Sequence, residues 1–350
     1  MSDNERGHCM RGARRLIAIP VLAAALLLVG WVGSAQAATW FVGPGDSIQA
    51  AVDGASPGDT IFVFGAHSEN VLIQTDGLKL KGLGATLTPG AENECGANGF
   101  CVVGDINFED FVVNSYIQDV SISGFEISGF EDSGILAFGA QNASFSLNRT
   151  VDNEEYGIFA VLSTGTRVLG NITTGSAEAG IYIGDSPNAN ALVANNVTSG
   201  NLFGIFLRDS MHGTILNNVS QHNCVGALVL GDAPGPAGFY RFLGNRIRSN
   251  TRACPASEEG DALSGLGLVI SGGVNNIVHG NQITDNVAGG PTAASAGVAV
   301  ITGDGGTPST GNVVTGNVIT GNDPDILWDG AGSNTLTPNT CGTSVPPGFC

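Results

Sequence analysis

The sequence predicts an all-β fold in which short strands stack into a solenoid, a parallel β-helix, with a short capping helix at its N-terminal end. Three observations predict it. A strand motif recurs at nearly constant spacing, and an asparagine-led motif recurs between its copies. The composition is also rich in turn formers, with 53 glycines among 350 residues and only 13% charged residues. That combination excludes a disordered acidic chain and favours many short strands joined by tight turns.

The first 37 residues predict a secretory signal peptide. Basic residues precede an apolar run, and the A-x-A sequence Ala35–Ala37 ends it, which predicts cleavage after Ala37. An uncleaved membrane anchor is the alternative, because about 18 apolar residues just span a bilayer. Pro20 and the A-x-A sequence favour cleavage. The predicted division of the chain is a signal peptide over 1–37, a β-helix domain over 38–330, and a disulfide-closed tail over 331–350.

The segment 46–64, DSIQAAVDGASPGDTIFVF, predicts the entry to the solenoid. Ile48, Ala51, Val52 and Ala55 recur at helical spacing on one face. Asp46 or Ser47 can cap the N-terminus of this helix, and the PGDT sequence turns the chain into a first strand.

Strands that begin with glycine recur along the chain, and the first four spacings are 23, 23, 24 and 22 residues. A unit of this size cannot bury its apolar face alone, whereas stacked units form a continuous core. The copies are GILAF (134), GIFAV (157), GIYIG (180), GIFLR (204), GALVL (226), GLVIS (267), GVAVI (297) and a degenerate DILWD (325).

A second motif lies between these strands and begins with asparagine. Stacked coils lie about 4.8 Å apart, so equivalent asparagines form a hydrogen-bonded column. Asparagine also tolerates the left-handed backbone that a sharp corner requires. We therefore interpret the N-x-[S/T] triplets in these motifs as parts of the column and not as glycosylation sites. The column is predicted at Asn148, Asn171, Asn196, Asn218, Asn245, Asn281 and Asn317.

With these motifs, residues 39–330 resemble the right-handed parallel β-helix repeat family, the pectate-lyase-like architecture. The shared pattern is Gly-Ile-x-apolar, a turn with serine or asparagine, and then Asn-x-apolar. The entry segment 46–64 is also similar to the start of that family. The resemblance implies a right-handed parallel β-helix with a plugging helix, but it does not define a function, because this scaffold carries many activities.

The stretch GDSPN (184–188) aligns with RDSMH (208–212), so Asp185 stacks on Asp209, and Asn188 on His212. We favour the interpretation that most of this motif is a corner, in which aspartate and serine accept backbone hydrogen bonds.

The residues of this motif that we predict to be catalytic are Asp185, Arg208, Asp209 and His212. Two carboxylates about one coil apart share a proton, hold a cation such as calcium, or act as a glycosidase pair. Arg208 would serve as base or carboxylate clamp, as the resemblance to pectate lyases implies. His212 has the unperturbed pKa best suited to acid–base work, and Asp232 would complete a triad of acids. No C-x-x-C pair or His/Cys cluster indicates a zinc site, and calcium at the paired carboxylates is the one cofactor that the sequence leaves open. The acidic motifs typical of polygalacturonases and a dense calcium-binding cluster are also missing from the sequence.

An apolar row is predicted on the outer face of the repeated strands, where polar residues are expected. Phe159, Tyr182 and Phe206 of this row would form a stacking platform for a glycan along the solenoid axis. Two alternatives are a cover formed by a loop, most simply the 231–265 insertion, and a dimer interface. We favour the loop cover over the platform, and the platform over the dimer.

The cysteine content and the net charge limit which cellular environment and which binding partners we expect for the protein. Six cysteines remain after Ala37, and proximity pairs Cys95 with Cys101, Cys224 with Cys254, and Cys341 with Cys350, out of fifteen connectivities. Loss of residues 1–37 removes four of 13 basic and two of 31 acidic residues, leaving a net charge of −20. That charge disfavours nucleic acid, anionic lipid and polyanionic polysaccharide unless cations mediate the contact. We predict an extracellular monomer that does not bind membranes.

Three classes of function fit these observations. The first is a secreted carbohydrate-active enzyme, a lyase, hydrolase or epimerase. The second is a non-catalytic glycan-binding or cell-surface β-helix. The third is a periplasmic helper of the kind linked to copper insertion into reductases. We rank the third last, because three methionines and five histidines show no Met/His cluster.

Overall fold

The computed structural model describes residues 36–91, 93–232, 235–257 and 260–350, and Ala37–Cys350 form one compact unit. The predicted signal peptide lies almost entirely outside the described residues. Among the described residues, no helix has the length and apolar character needed to cross a bilayer.

The described elements are one α-helix, α1 (Ile48–Gly54), and a long series of short strands. The strands up to residue 161 are β1 Thr39–Val42, β2 Thr60–Ser68, β3 Val71–Ile73, β4 Lys79–Thr88, β5 Phe100–Val103, β6 Asp105–Asn107, β7 Val112–Ser115, β8 Ile117–Gln118, β9 Ser121–Ser128, β10 Ile135–Phe138, β11 Ala140–Gln141, β12 Ser144–Ser146, β13 Arg149–Val151 and β14 Ile158–Val161. Those from residue 167 to 248 are β15 Arg167–Leu169, β16 Ile172–Thr174, β17 Ala179–Gly184, β18 Ala191–Ala194, β19 Val197–Ser199, β20 Phe203–Arg208, β21 Met211–Leu216, β22 Val219–Gln221, β23 Val225–Leu230, β24 Gly238–Leu243 and β25 Arg246–Arg248. The remainder are β26 Leu266–Ser271, β27 Ile277–His279, β28 Gln282–Thr284, β29 Ala296–Ile301, β30 Val313–Thr315, β31 Val318–Thr320, β32 Ile326–Trp328 and β33 Ser344–Val345.

Two long parallel sheets wrap the core. One has 11 strands, and we call it the front sheet; the other has 18 strands, and we call it the back sheet. All eight strands predicted from the glycine-led repeat lie in the front sheet, including the degenerate copy, which pairs with β29 as β32. The front sheet runs β3-β5-β10-β14-β17-β20-β23-β26-β29-β32-β33.

The register of the front sheet aligns equivalent residues of successive coils. Ile158 pairs with Ile181, and Ile181 with Ile205. These isoleucines are buried in a core that extends from Val42 to Leu336 along the whole solenoid. Because each fully buried aliphatic side chain contributes about 1.5–3 kcal/mol, coil stacking in this register is the main source of stability.

The predicted asparagine column is confirmed. The Asn171 main-chain N–H and side-chain amide both donate to Asn196 Oδ1, at 2.8 and 3.0 Å, and the same arrangement links each successive pair. The column begins at Asn148, contains every asparagine predicted, and continues to Asn339. Each amide also donates to a main-chain carbonyl, for example Asn196 to Val168 O at 2.8 Å. The column therefore satisfies backbone groups that the corner would leave buried and unpaired.

A second column was not predicted, although it uses the asparagines that close the same motifs. Asn201 Oδ1 accepts from Ser176 N–H, and Asn223 Oδ1 accepts from Asn201 N–H, both at 2.9 Å. The series ends at Asn322, which donates to Asp325. Its full course is Ser176, Asn201, Asn223, Asn250, Asn286 and Asn322.

The N-terminal helix forms as predicted. Ser47 is the N-cap, and its side chain accepts a hydrogen bond from Ala50 N–H. Ile48, Ala51 and Val52 are buried against the core. Glu69, from the turn after β2, accepts hydrogen bonds from Ser47 Oγ and from the main-chain N–H groups of the first helical residues, Ile48 and Gln49, at 2.9–3.1 Å. This carboxylate satisfies N–H groups that the helix itself leaves unpaired.

The three disulfides paired by proximity are present, at Cys95–Cys101, Cys224–Cys254 and Cys341–Cys350. The C-terminal tail continues the solenoid. Its strand β33 pairs with β32, and Leu336 is buried in the core. The tail thus covers the last coil from the side opposite to α1.

Candidate functional site

The candidate site lies at the carboxyl edge of the front sheet, where its strands end and the chain turns. Gly184 at the end of β17 pairs with Arg208 at the end of β20, so Asp185 and Asp209 follow at the same position of successive coils. Asp185 N–H donates to Arg208 O at 3.1 Å, and Asp209 N–H donates to Leu230 O at 3.0 Å. Both aspartates have left-handed backbone, with φ of 47° and 44°. The predicted stacking of the two carboxylates is therefore present.

Arg208 is held between two carboxylates. Its Nη2 lies 2.9 Å from Asp232 Oδ2, and its Nε lies 3.8 Å from Asp209 Oδ2. Asp232 N–H in turn donates to Asp209 Oδ1 at 2.8 Å. The Arg208 side chain is 43% exposed, that of Asp232 29%, and that of Asp209 only 10%. Asp209 therefore organises the corner, whereas Arg208 and Asp232 face solvent.

The serines of the motif are structural. Ser186 Oγ donates to Gly184 O at 2.6 Å and accepts from Ser163 N–H at 3.0 Å. Ser210 Oγ donates to Ile183 O at 3.0 Å and lies 2.8 Å from the Tyr240 hydroxyl. For these residues and for Asp209, the corner interpretation agrees with the structure.

The predicted position of His212 is wrong. Ala191 pairs with Gly213, so His212 aligns with Asn190 and not with Asn188. The turn after β17 is two residues longer than the turn after β20, which shifts the alignment. His212 belongs to β21 of the back sheet, and its ring stacks on Phe239 at 4.9 Å. We therefore assign it no role in the carboxylate cluster.

Burial raises the pKa of Asp185, although nearby Arg208 and a hydrogen bond from Tyr182 act in the opposite direction. Burial likewise raises the pKa of Asp209, against the lowering effects of the Asp232 N–H and Arg208. A carboxyl group with a raised pKa retains its proton closer to neutral pH, which is the property required of a general acid. Asp185 has both this property and partial exposure.

Aromatic rings lie next to the carboxylates. The Tyr182 ring lies along its strand over Gly184, where a β-carbon would overlap the ring. The Tyr182 hydroxyl forms a hydrogen bond with the Asp185 carboxyl group. Tyr156, which the sequence analysis missed, stacks on Phe159 at 4.4 Å and lies 5.1 Å from Tyr182. Burial raises the pKa of both tyrosines, so each hydroxyl remains a hydrogen-bond donor at ordinary pH.

The predicted open platform requires correction. Phe159, Tyr182 and Phe206 lie outside the main core as expected, but Tyr182 is 3% and Phe206 7% exposed. They belong to a second apolar cluster, against which Leu263 of the 231–265 insertion and Ala294 of a later connection pack. Of the three alternatives, the loop cover agrees best with this burial. Only Phe159 keeps appreciable exposure, so a glycan cannot stack on the row as a whole.

The fold and this edge together define a parallel β-helix protein whose carboxyl edge carries an arginine between aspartates. More specifically, the chain belongs to the NosD family, described as periplasmic copper-binding protein, whose family model matches residues 55–259 and 119–344. The family description names copper, the class of function that we ranked last from the sequence, and the match shows the family and not a function. A comparison with curated proteins gives no match.

Solved structures share the fold at low sequence identity. The Dettilon tailspike protein (gp208) is 16% identical, with a TM-score of 0.57 over 87% of this chain and 68% of that one. The AlgE6 A-module, a mannuronan C-5 epimerase from Azotobacter vinelandii, is 17% identical, with a TM-score of 0.53 over 86% and 95%. PfbA, a surface adhesin of Streptococcus pneumoniae, is 13% identical, with a TM-score of 0.51 over 85% and 87%. At these identities the likeness establishes a right-handed parallel β-helix and nothing about activity.

The described residues do not fit a copper site. They contain no group of three or more His, Cys, Asp or Glu side chains able to hold a metal ion. The cysteines after residue 37 are in disulfides, and Met211 is the one methionine within the described ranges. Copper prefers thiolate, thioether and imidazole ligands, and the site at the front sheet offers carboxylates, a guanidinium and phenols.

Proposed function

We propose that this protein is an exported polysaccharide-binding β-helix, and that Asp185, Arg208 and Asp232 contact the sugar. The observation that supports this proposal is the partly exposed Arg208–Asp232 pair beside Asp185 on one edge of the solenoid. Charged groups of both signs can hydrogen-bond several sugar hydroxyls at once, and such charge-assisted bonds are about twice as strong as neutral ones. Export is supported by the predicted signal peptide, the three disulfides and the periplasmic description of the family.

Loss of one of these contacts should weaken glycan binding. We expect Arg208→Ala and Asp185→Asn each to raise the Kd for a bound oligosaccharide about tenfold or more, because a hydrogen bond to a charged group contributes about 1.5–3 kcal/mol. Isothermal titration against a panel of oligosaccharides measures this.

The matched control is Asp152→Asn. Asp152 also has left-handed backbone, with φ of 49°, but follows β13 of the back sheet and is exposed. Equal losses of oligosaccharide affinity in Asp152→Asn and Asp185→Asn would contradict the proposed site. No glycan binding by the unaltered protein would overturn the proposed function itself.

A second candidate is turnover of the bound polysaccharide, and the raised pKa of Asp185 favours it. With Asp185 as proton donor, hydrolysis would release reducing ends, whereas a lyase would form an unsaturated uronate that absorbs ultraviolet light. Asp185→Asn should then lower the rate by about 100-fold or more, the ordinary contribution of a general acid. Binding of a polysaccharide without formation of reducing ends or of an unsaturated uronate would support the non-catalytic function.

Copper binding is supported by the family description alone. Titration of the mature protein with copper ions, with and without reductant, tests it directly. Saturable binding at one equivalent would favour a copper function over the glycan function.

A further inference from the structure

A β-hairpin projects from the carboxyl edge of the front sheet. Its strands β6 and β7 pair antiparallel, in contrast to the parallel pairs of the two long sheets, and it follows front-sheet strand β5 directly. The hairpin exposes large apolar side chains. Phe108 is 69%, Phe111 52%, Val112 53% and Tyr116, just after β7, 40% exposed. Exposed aromatic residues gathered on one short element are typical of a binding surface.

The hairpin, including its loop, lies against the end of β10 on the solenoid. Phe108 and Phe111 contact the Phe138 ring at centroid distances of 5.6 and 5.7 Å. Ile106 packs over Gly139, where a β-carbon would overlap its side chain. Phe111 has a φ of 56°, a conformation that costs free energy in a bulky residue. The aromatic side chains are therefore held in place.

Two hollows flank the hairpin, and Tyr116 borders both. The larger, about 620 Å³, lies between the hairpin and the ends of β3 and β5, and Phe108 also lines it. The second lies between the hairpin and the turn that follows β17, where Asp185 and Asn188 line it. One edge of the solenoid thus carries the large hollow, the hairpin, the second hollow and the Arg208 cluster in series.

The charge of this surface indicates its ligand. Asp76, Glu94 and Asp105 line the larger hollow, and no lysine, arginine or histidine is among its described lining residues. Asp185 lines the second hollow. Carboxylates beside exposed aromatic rings suit a cation, because the face of an aromatic ring attracts an ammonium group. The same carboxylates and the net charge of −18 repel a polyuronate.

We propose that the hairpin and the two hollows extend the site at Asp185 into a groove for a linear glycan that carries free amino groups. This inference rests on the proposed polysaccharide function and names its substrate class. The sugar ammonium groups lie against Tyr116, Phe108 and the carboxylates of the larger hollow. The next sugars pass through the second hollow to Asp185.

The test compares hexamers of glucosamine, N-acetylglucosamine and galacturonate by isothermal titration in weakly acidic buffer, where sugar amines are protonated. We expect the glucosamine hexamer to bind about tenfold more tightly than the N-acetylated hexamer, and added salt to weaken its binding. Equal affinity for these two hexamers, or tighter binding of the galacturonate hexamer, would overturn the amino-sugar assignment.

Two variants locate the contact. Phe108→Ser should weaken binding of the glucosamine hexamer about fivefold, because it removes an aromatic ring that faces the sugar ammonium groups. Phe41→Ser is the matched control, since Phe41 is 70% exposed on β1 of the back sheet and so nearly equals Phe108 in exposure. Circular dichroism melting curves of both variants confirm folding.

The outcomes separate the two proposals. If Phe108→Ser binds like the unaltered protein while Asp185→Asn binds weakly, the hairpin inference fails and the proposed function stands. If no glycan in the series binds, the proposed function fails. A glycan that binds independently of both residues would overturn both.

Discussion

At the residue scale, Asp185 has several features that support its proposed role in binding. It has left-handed backbone, partial burial and a raised pKa, with burial as the largest cause. Its neighbours Asp209 and Ser186 have hydrogen bonds that organise the turn. Asp185 also lines the second hollow, as Ser186 does.

The raised pKa predicts how stability depends on pH. The folded protein binds a proton at Asp185 more strongly than the unfolded chain, so this residue lowers stability as the pH rises from the unfolded pKa, about 3.9, through the higher folded pKa. Asp185→Asn removes the effect. We expect its Tm to exceed that of the unaltered protein by on the order of 1 °C at neutral pH, since the group is partly exposed and screened.

Below about pH 3.9 the two melting temperatures should converge, because Asp185 is then protonated in both states. Scanning calorimetry from acid to neutral pH measures the difference. A lower Tm of the variant at neutral pH would show that the charged carboxylate stabilises the fold.

At the element scale, each corner depends on its side-chain column. Asn218 Oδ1 accepts from the main chain and the side chain of Asn196, and its amide donates to Val193 O and to Asn245 Oδ1. Asn218→Ala leaves several buried groups unpaired. We expect a loss of at least about 3 kcal/mol in the free energy of unfolding, because each unpaired buried group costs about 1–3 kcal/mol.

Urea denaturation followed by circular dichroism checks this loss. Asn188→Ala is the control, because Asn188 is exposed in the turn after β17. Similar unfolding free energies for both variants would mean that water molecules replace the hydrogen bonds that Asn218 makes in the column.

The N-terminal helix depends on a residue outside it. Glu69→Ala removes the carboxylate that accepts from Ile48 and Gln49 N–H. We expect a loss of about 1–2 kcal/mol, the scale of a helix cap with a favourable helix-dipole interaction. We also expect faster aggregation on heating, since the helix covers the end of the stack.

Thermal melting with light scattering measures both effects, and Glu131→Ala, an exposed glutamate near β9, provides the comparison. If Glu69→Ala lowered the Tm but left light scattering unchanged, the capped helix would stabilise the fold without protecting it against aggregation.

The elements were predictable where one signal repeats. The glycine-led strands and the first asparagine column recur with nearly fixed spacing, so each copy supported the others. The second column follows from the asparagines that close the same motifs, such as Asn201 and Asn223, and attention to the last residue of each motif would have found it. Hairpin β6–β7 occurs once, so the repeat could not predict it, although the aromatic residues of NFEDFVVNSY mark it.

At the scale of the whole molecule, the candidate site was only partly predictable. The pair Asp185–Asp209 follows from the repeat, and so does the outward direction of Tyr182. The burial of Tyr182 and Phe206 does not, because it depends on connections such as the one that contains Leu263. His212 was misplaced because two extra residues in one turn are absorbed locally and leave the strands in register.

Because turns of different length leave the strands in register, equivalent positions along the carboxyl edge are separated by whole coils. The hairpin rests on the coil of β10, and Asp185 follows β17 two coils later, so about 10 Å of axis separates them. The distance between the hairpin and Asp185 is therefore a whole number of coils, and this distance sets the length of a ligand that reaches both. If the proposed groove binds a linear glycan, duplication or deletion of a single coil would change the length of the oligomer that it prefers.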